Sequence, residues 1–214
     1  MIELKSDELT FSFPECHEEA VLTVSFQRTL RIPDDGEDYP LPPGLGRFPL
    51  RHIDDYAGRL PATWLKRGGV LLPMWQSEAL WLRFHCRYLS CRLTNYPFAV
   101  KVATGKISAI AGKRWSRGLS RSPQDYLVVP VQPWLDGYCV EQGVIRQFVA
   151  MPLGRGYSVE EQLTGKAEFG GLQLEVSPMR KDVFEKRFPE TAYRIETVQR
   201  AYCMAPDQDR KSVV

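Results

Sequence analysis

Ala20-Val21-Leu22-Thr23-Val24-Ser25-Phe26-Gln27-Arg28-Thr29-Leu30-Arg31-Ile32 is the stretch that decides the fold. In an extended chain Leu22, Val24, Phe26, Leu30 and Ile32 fall on one side, with Arg28 the interruption. Thr23, Ser25, Gln27, Thr29 and Arg31 fall on the other. Side chains alternate across a strand, so this period of two predicts one buried face and one wet face. Pro33-Asp34-Asp35-Gly36 then ends the strand as a turn.

Working outward, strands are expected at 79–90, 97–103, 126–132, 144–151 and 171–177, each bounded by Gly, Pro, Asn or Ser. Residues 39–50 carry four prolines, which remove backbone donors and fix φ. They read as a stiff connector lying on its own domain, because Leu41, Leu45, Phe48 and Leu50 favour burial. Residues 51–78 read as short helical turns broken by Pro61, Gly68-Gly69 and Pro73. Near the C-terminus Val183, Phe184, Ala192, Ile195, Val198 and Tyr202 recur at steps of three and four, predicting two helices broken near Pro189. Strands do not alternate with long helices, which disfavours a doubly wound sheet. The expected class is α+β: mostly antiparallel β, sandwich or barrel-like, with short inserted helices and C-terminal helices. A β-rich domain over 1–178, a helical segment over 179–204 and a flexible tail over 205–214 are expected.

Composition bounds the function classes. The chain has 214 residues, 43% of them hydrophobic and 25% charged, enough apolar material for a core. Disordered and collagen-like chains are excluded. No apolar run reaches the ~18 residues that span a bilayer, and the first residues lack the pattern of a secretory leader. Five scattered cysteines read as reduced thiols, so a cytoplasmic location is expected.

The net charge of +2 conceals a sharp division. Residues 1–78 carry net −5 and residues 125–214 net −2, while residues 79–124 hold nine cations and no carboxylate. The nine are Arg83, Arg87, Arg92, Lys101, Lys106, Lys113, Arg114, Arg117 and Arg121. As a strand, 79–88 buries Leu80, Leu82, Phe84, Cys86 and Tyr88 and lines up Trp81, Arg83, His85 and Arg87 opposite. Arginine offers a planar fork of donors to phosphate or carboxylate, and tryptophan can stack. Lys113, Arg114, Trp115 and Arg117 extend the candidate ligand-binding set, provided that the cations form one outward positive surface. Internal pairing with the acidic N-terminal third is the competing expectation.

No catalytic signature is present. Gly-x-Ser-x-Gly is absent, Gly105-Lys106 is not a phosphate-binding loop, and Cys86-x4-Cys91 has no second pair at zinc spacing. No cofactor and no metal are expected. Gln147, Gln162 and Gln173 either line a polar pocket or face solvent.

The runs Phe26-Gln27-Arg28-Thr29-Leu30-Arg31-Ile32-Pro33, Tyr39-Pro40-Leu41-Pro42-Pro43-Gly44-Leu45-Gly46, Gln132-Pro133-Trp134-Leu135-Asp136-Gly137 and Ile145-Arg146-Gln147-Phe148-Val149-Ala150-Met151-Pro152-Leu153-Gly154 resemble an uncharacterised family of bacterial proteins. Pro123-Gln124-Asp125-Tyr126-Leu127 adds to the resemblance, which covers roughly residues 20–176. It transfers no catalytic role, and implies at most that the chain is the first part of a longer architecture.

The expected function is therefore a β-rich binding or interaction module. Its basic, aromatic-containing region 79–124 would take an acidic protein partner or an anionic small molecule, and a second copy of the chain is a further candidate. One alternative is a hydrolase or transferase in which Arg83 and Arg87 hold an anionic substrate and His85 or His52 moves protons. The other is a nucleic-acid binder, disfavoured by the near-neutral charge.

Overall fold

The structure is a computed structural model that describes residues 1–190 apart from 34, 38, 142 and 143. The chain opens with a hairpin, β1 (Ile2–Lys5) and β2 (Glu8–Ser12), followed by the long β3 (Val21–Thr29). A two-stranded ribbon, β4 (Arg51–His52) and β5 (Val70–Leu71), encloses a 3₁₀ segment (Ile53–Arg59) and α1 (Ala62–Arg67). Next come β6 (Ala79–Cys86), β7 (Tyr88–Leu89), β8 (Thr94–Asn95), β9 (Phe98–Thr104) and β10 (Ile107–Ser108). Then follow β11 (Leu127–Val129), β12 (Trp134–Leu135), β13 (Gly137–Glu141), β14 (Val144–Val149), α2 (Val159–Thr164), β15 (Leu172–Pro178) and α3 (Lys181–Arg187).

Two antiparallel sheets pack face to face. The larger runs β1-β2-β3-β6-β14-β13, with β12 also pairing β6. In the smaller, β10 and β11 pair β9, and β15 pairs β9 along its length. Alternation explains the packing: Leu22, Val24 and Phe26 of β3 and Leu80, Leu82 and Phe84 of β6 bury together with Val100 and Val102 of β9 and Val129 of β11. The α+β, mostly antiparallel class is thus observed, as a sandwich. No helix among the described residues is long and apolar enough to cross a membrane.

Several boundaries differ from expectation. β3 stops at Thr29, so Leu30 is exposed and does not extend the buried face. β6 stops at Cys86, and Tyr88 is exposed instead of joining the core. The Pro-rich connector does lie on its own domain: Arg28 N–H donates to Gly46 O, Leu45 N–H to Arg28 O and Phe48 N–H to Phe26 O. Phe48 and Leu50 are buried, whereas Leu45 faces solvent because those backbone bonds fix its position at the edge of the sheet. The first C-terminal helix is α3, and its Phe184 sits in the core against Tyr96, 4.3 Å between ring centres. The expected second helix and the expected tail lie outside the described residues.

Gly137 opens β13 beside Arg146. A Cβ there would collide with the Arg146 carbonyl, a backbone atom with no room to give. Gly137→Ala is expected to destabilise by about 1–3 kcal/mol, read as a lower urea midpoint. An unchanged midpoint would show that the β13–β14 pairing relaxes without strain.

Candidate functional site

The β6 row forms as its alternation requires: Trp81, Arg83 and His85 point away from the buried Leu80, Leu82, Phe84 and Cys86. They lie on the outer face of the larger sheet, opposite Gln27, Ser25 and Thr23 of β3. Trp81 is half-buried beside Gly44 of the connector, and its Nε1 is buried without a hydrogen-bond acceptor among the described residues. Arg87 is paired with Glu19 at 2.7 Å. Arg83 and His85 are exposed, and Arg83 has no ion pair among the described residues.

The second group lies elsewhere. On β9, Val100 and Val102 point into the core, so Lys101 between them points to the outer face of the smaller sheet. It is not exposed there: its side chain is 1% accessible. The segment between β10 and β11 folds over it. Lys101 Nζ pairs with Asp125 Oδ2 at 2.8 Å and donates to Ser116 O at 2.7 Å and Gly118 O at 2.6 Å. The Trp115 ring covers the ammonium at 4.8 Å, and Lys106 approaches the same ring at 5.6 Å. Burial pushes the Asp125 carboxyl up, but Lys101 and the Ser120 N–H outweigh it and hold it below the usual value.

The single positive surface is therefore corrected. Trp81, Arg83, His85 and Arg87 occupy one outer face of the sandwich, and Lys113, Arg114, Trp115 and Arg117 belong to the cover of the other. The core between the two sheets separates them. Three of the nine cations are internal braces: Arg87 on Glu19, Lys101 on Asp125, and Arg92 on Glu190 and Phe188 O. The covering segment keeps Lys113, Arg114, Arg117 and Arg121 exposed and, among the described residues, without an ion pair.

Other candidates resolve in turn. His52 lines a cavity walled by both sheets while His85 lies on an outer face, so no one site holds both. Burial pushes the Cys86 thiol up to about 12, which makes it a poor nucleophile. Among the described residues no three His, Cys, Asp or Glu side chains converge to hold a metal ion. Gln147, Gln162 and Gln173 all line the same cavity as His52, but their amides are engaged with backbone groups. Gln147 accepts from Ile32 N–H and donates to Leu30 O, Gln162 donates to Tyr157 O, and Gln173 accepts from Lys106 N–H and donates to Gly170 O. Each amide is spent on backbone groups that no strand neighbour reaches.

Two carboxylates were missed by sequence reading. Glu160 on α2 is 3% exposed and accepts from Glu168, Phe169 and Gly170 N–H at 3.0, 2.9 and 2.8 Å. The signal was the capping box Ser158-x-x-Glu161, which announces a helix start and places Glu160 in its first turn. Asp136, between β12 and β13, carried no signal beyond its turn. No family model matches the chain, and no curated protein or solved structure is detectably similar to it.

Proposed function

We propose that the chain is a non-enzymatic binding module that receives an acidic protein partner on the segment covering the smaller sheet. One observation carries the reading: Lys113, Arg114, Arg117 and Arg121 are exposed and without ion pairs on a segment anchored by the buried Lys101–Asp125 pair. Cations that stabilise a fold are expected to find carboxylates, as Arg87 and Arg92 do. These four leave their charge outward on a scaffold that is already ordered, so little entropy opposes binding. The outer face of β6 offers less. Its charges are mixed, with Glu8 paired to Arg47 and Glu19 to Arg87.

A fluorescent oligoglutamate peptide serves as probe. Binding at low salt is expected to weaken steeply as salt rises. Replacing Lys113, Arg114, Arg117 and Arg121 together by Ser is expected to weaken it about 10- to 100-fold, at a few tenths to one kcal/mol for each exposed charge. Arg83→Ser should leave it unchanged. Tighter binding of a single-stranded oligonucleotide than of the peptide would transfer the site to nucleic acid and overturn the proposal, as would an unaltered affinity in the fourfold variant.

A further inference from the structure

Beside the packed core, a half-open cavity of about 2210 Å³ is walled by both sheets, α1 and α2. Leu9, Phe26, Leu80 and Phe148 line it from the larger sheet, and Leu172 and Leu174 from the smaller. Sites for compact small molecules enclose roughly 300–1,000 Å³. This space is larger, so it suits an extended apolar body. Asp136 lines the same cavity and is half-buried. Its backbone carbonyl accepts from Phe148 N–H, but among the described residues its carboxylate makes no hydrogen bond or ion pair to another residue. Beside it in sequence, the Tyr138 hydroxyl is bonded to the Thr104 hydroxyl, so neither is the obvious partner. Glu160, also on the cavity, is spent on three backbone donors. Arg31, Arg67, Arg146, Glu37 and Glu168 line it too but are exposed to solvent, and the half-buried Lys106 turns its ammonium to the Trp115 ring; among the described residues none pairs with Asp136.

We propose that this cavity binds a molecule with an extended apolar body and one cationic nitrogen, which pairs with the Asp136 carboxylate. The apolar part of the wall supplies affinity, and the half-buried Asp136 carboxylate, which has no counterion among the described residues, supplies selection. Burial pushes the Asp136 carboxyl up against a smaller pull from its own backbone N–H, the behaviour of a carboxylate lacking a counterion. An ammonium removes that penalty. A fatty acid brings a second anion and increases it.

The test uses the whole chain and the neutral probe 1-N-phenylnaphthylamine, whose fluorescence rises in an apolar site. Dodecylamine, dodecanol and dodecanoate compete at neutral pH, each below its micelle concentration. Dodecylamine is expected to displace the probe at a concentration about tenfold lower than dodecanoate, the ratio that one modest charge interaction supplies. Asp136→Asn should abolish the difference while retaining the probe. Leu174→Trp, which narrows the cavity, should weaken the probe and the amine together. Equal displacement by amine and acid, a preference that survives in Asp136→Asn, or a native chain that does not take up the probe would each overturn the proposal. The first and third outcomes are read on the native protein and do not depend on any variant folding.

Discussion

Replacing Lys101 with Met is expected to cost about 3–5 kcal/mol, the usual consequence of removing one member of a buried ion pair. The cost has identifiable sources. Asp125, itself buried, would keep its charge and lose its cation. Ser116 O and Gly118 O would lose the donor that holds the covering segment to β9. In a domain of this size each kcal/mol moves Tm by about 2–4 °C, so a fall of about 10 °C should be visible by calorimetry. Trypsin adds a local readout. Arg114, Arg117 and Arg121 are exposed in the native fold, and release of the segment should make cleavage there much faster. The double variant Lys101→Met with Asp125→Leu should recover part of the loss, because it removes the stranded charge as well. Recovery will be incomplete, since Ser120 N–H also gives up its acceptor. A single variant within about 1 kcal/mol of the native protein, a typical surface-pair value, would mean that Lys101 reaches water and is not a pin.

That lysine also marks where sequence reading stopped. The alternation of Leu22, Val24 and Phe26, and of Leu80, Leu82, Phe84 and Cys86, was legible because burial on one face imposes a period of two that any extended segment shows. The class followed from it. The hairpin β1–β2 was not legible: its turn, Ser6-Asp7, adopts positive φ at two residues that are not glycine, so no Asn-Gly or Asp-Gly pair announces it. The charge map was correct as arithmetic and insufficient as geometry. Nine cations within 46 residues look alike in a list, yet the direction of each depends on the strand that carries it. Lys101 falls between Val100 and Val102, the same alternation as Arg83 between Leu82 and Phe84. Whether the outer side is wet or covered depends on a segment more than ten residues away, and that is a tertiary fact. Glu160 was hidden for the same reason, because its partners are backbone N–H groups that carry no residue identity.

Glu160→Gln is the second large effect, expected at about 3 kcal/mol, since charged hydrogen bonds are worth about 1.5–3 kcal/mol each and a buried donor left unmade costs about 1–3. The amide keeps one acceptor oxygen, enough for part of the Glu168 and Phe169 donors. Its NH2 group would face Gly170 N–H, donor against donor. Geometry leaves no escape: a Cβ built on Gly105 would meet Glu160 Cβ and Oε2 at 2.5 Å, so the side chain is wedged against the β9–β10 turn. Arg67 holds the same loop from its carbonyls, donating to Glu168 O and Phe169 O, so the loop should loosen instead of detaching. The pH dependence follows from direction. Burial pushes the Glu160 carboxyl up, the three N–H donors pull it further down, and the net is a folded value below the ordinary 4.5. Asp125 likewise lies below 3.8. As pH falls the unfolded chain therefore takes up these protons first, so their stabilisation is complete above about pH 5 and drains away below the ordinary carboxylate values. Asp136 has the opposite sign, because its folded value is raised above 3.8: its contribution is present at low pH and lost as pH rises through the folded value. Unfolding free energies measured by urea from pH 3 to pH 7 should consequently rise less steeply in Glu160→Gln than in the native chain, with the two curves converging at the acid end. Parallel curves would show that the Glu160 carboxylate is not what those three amides hold.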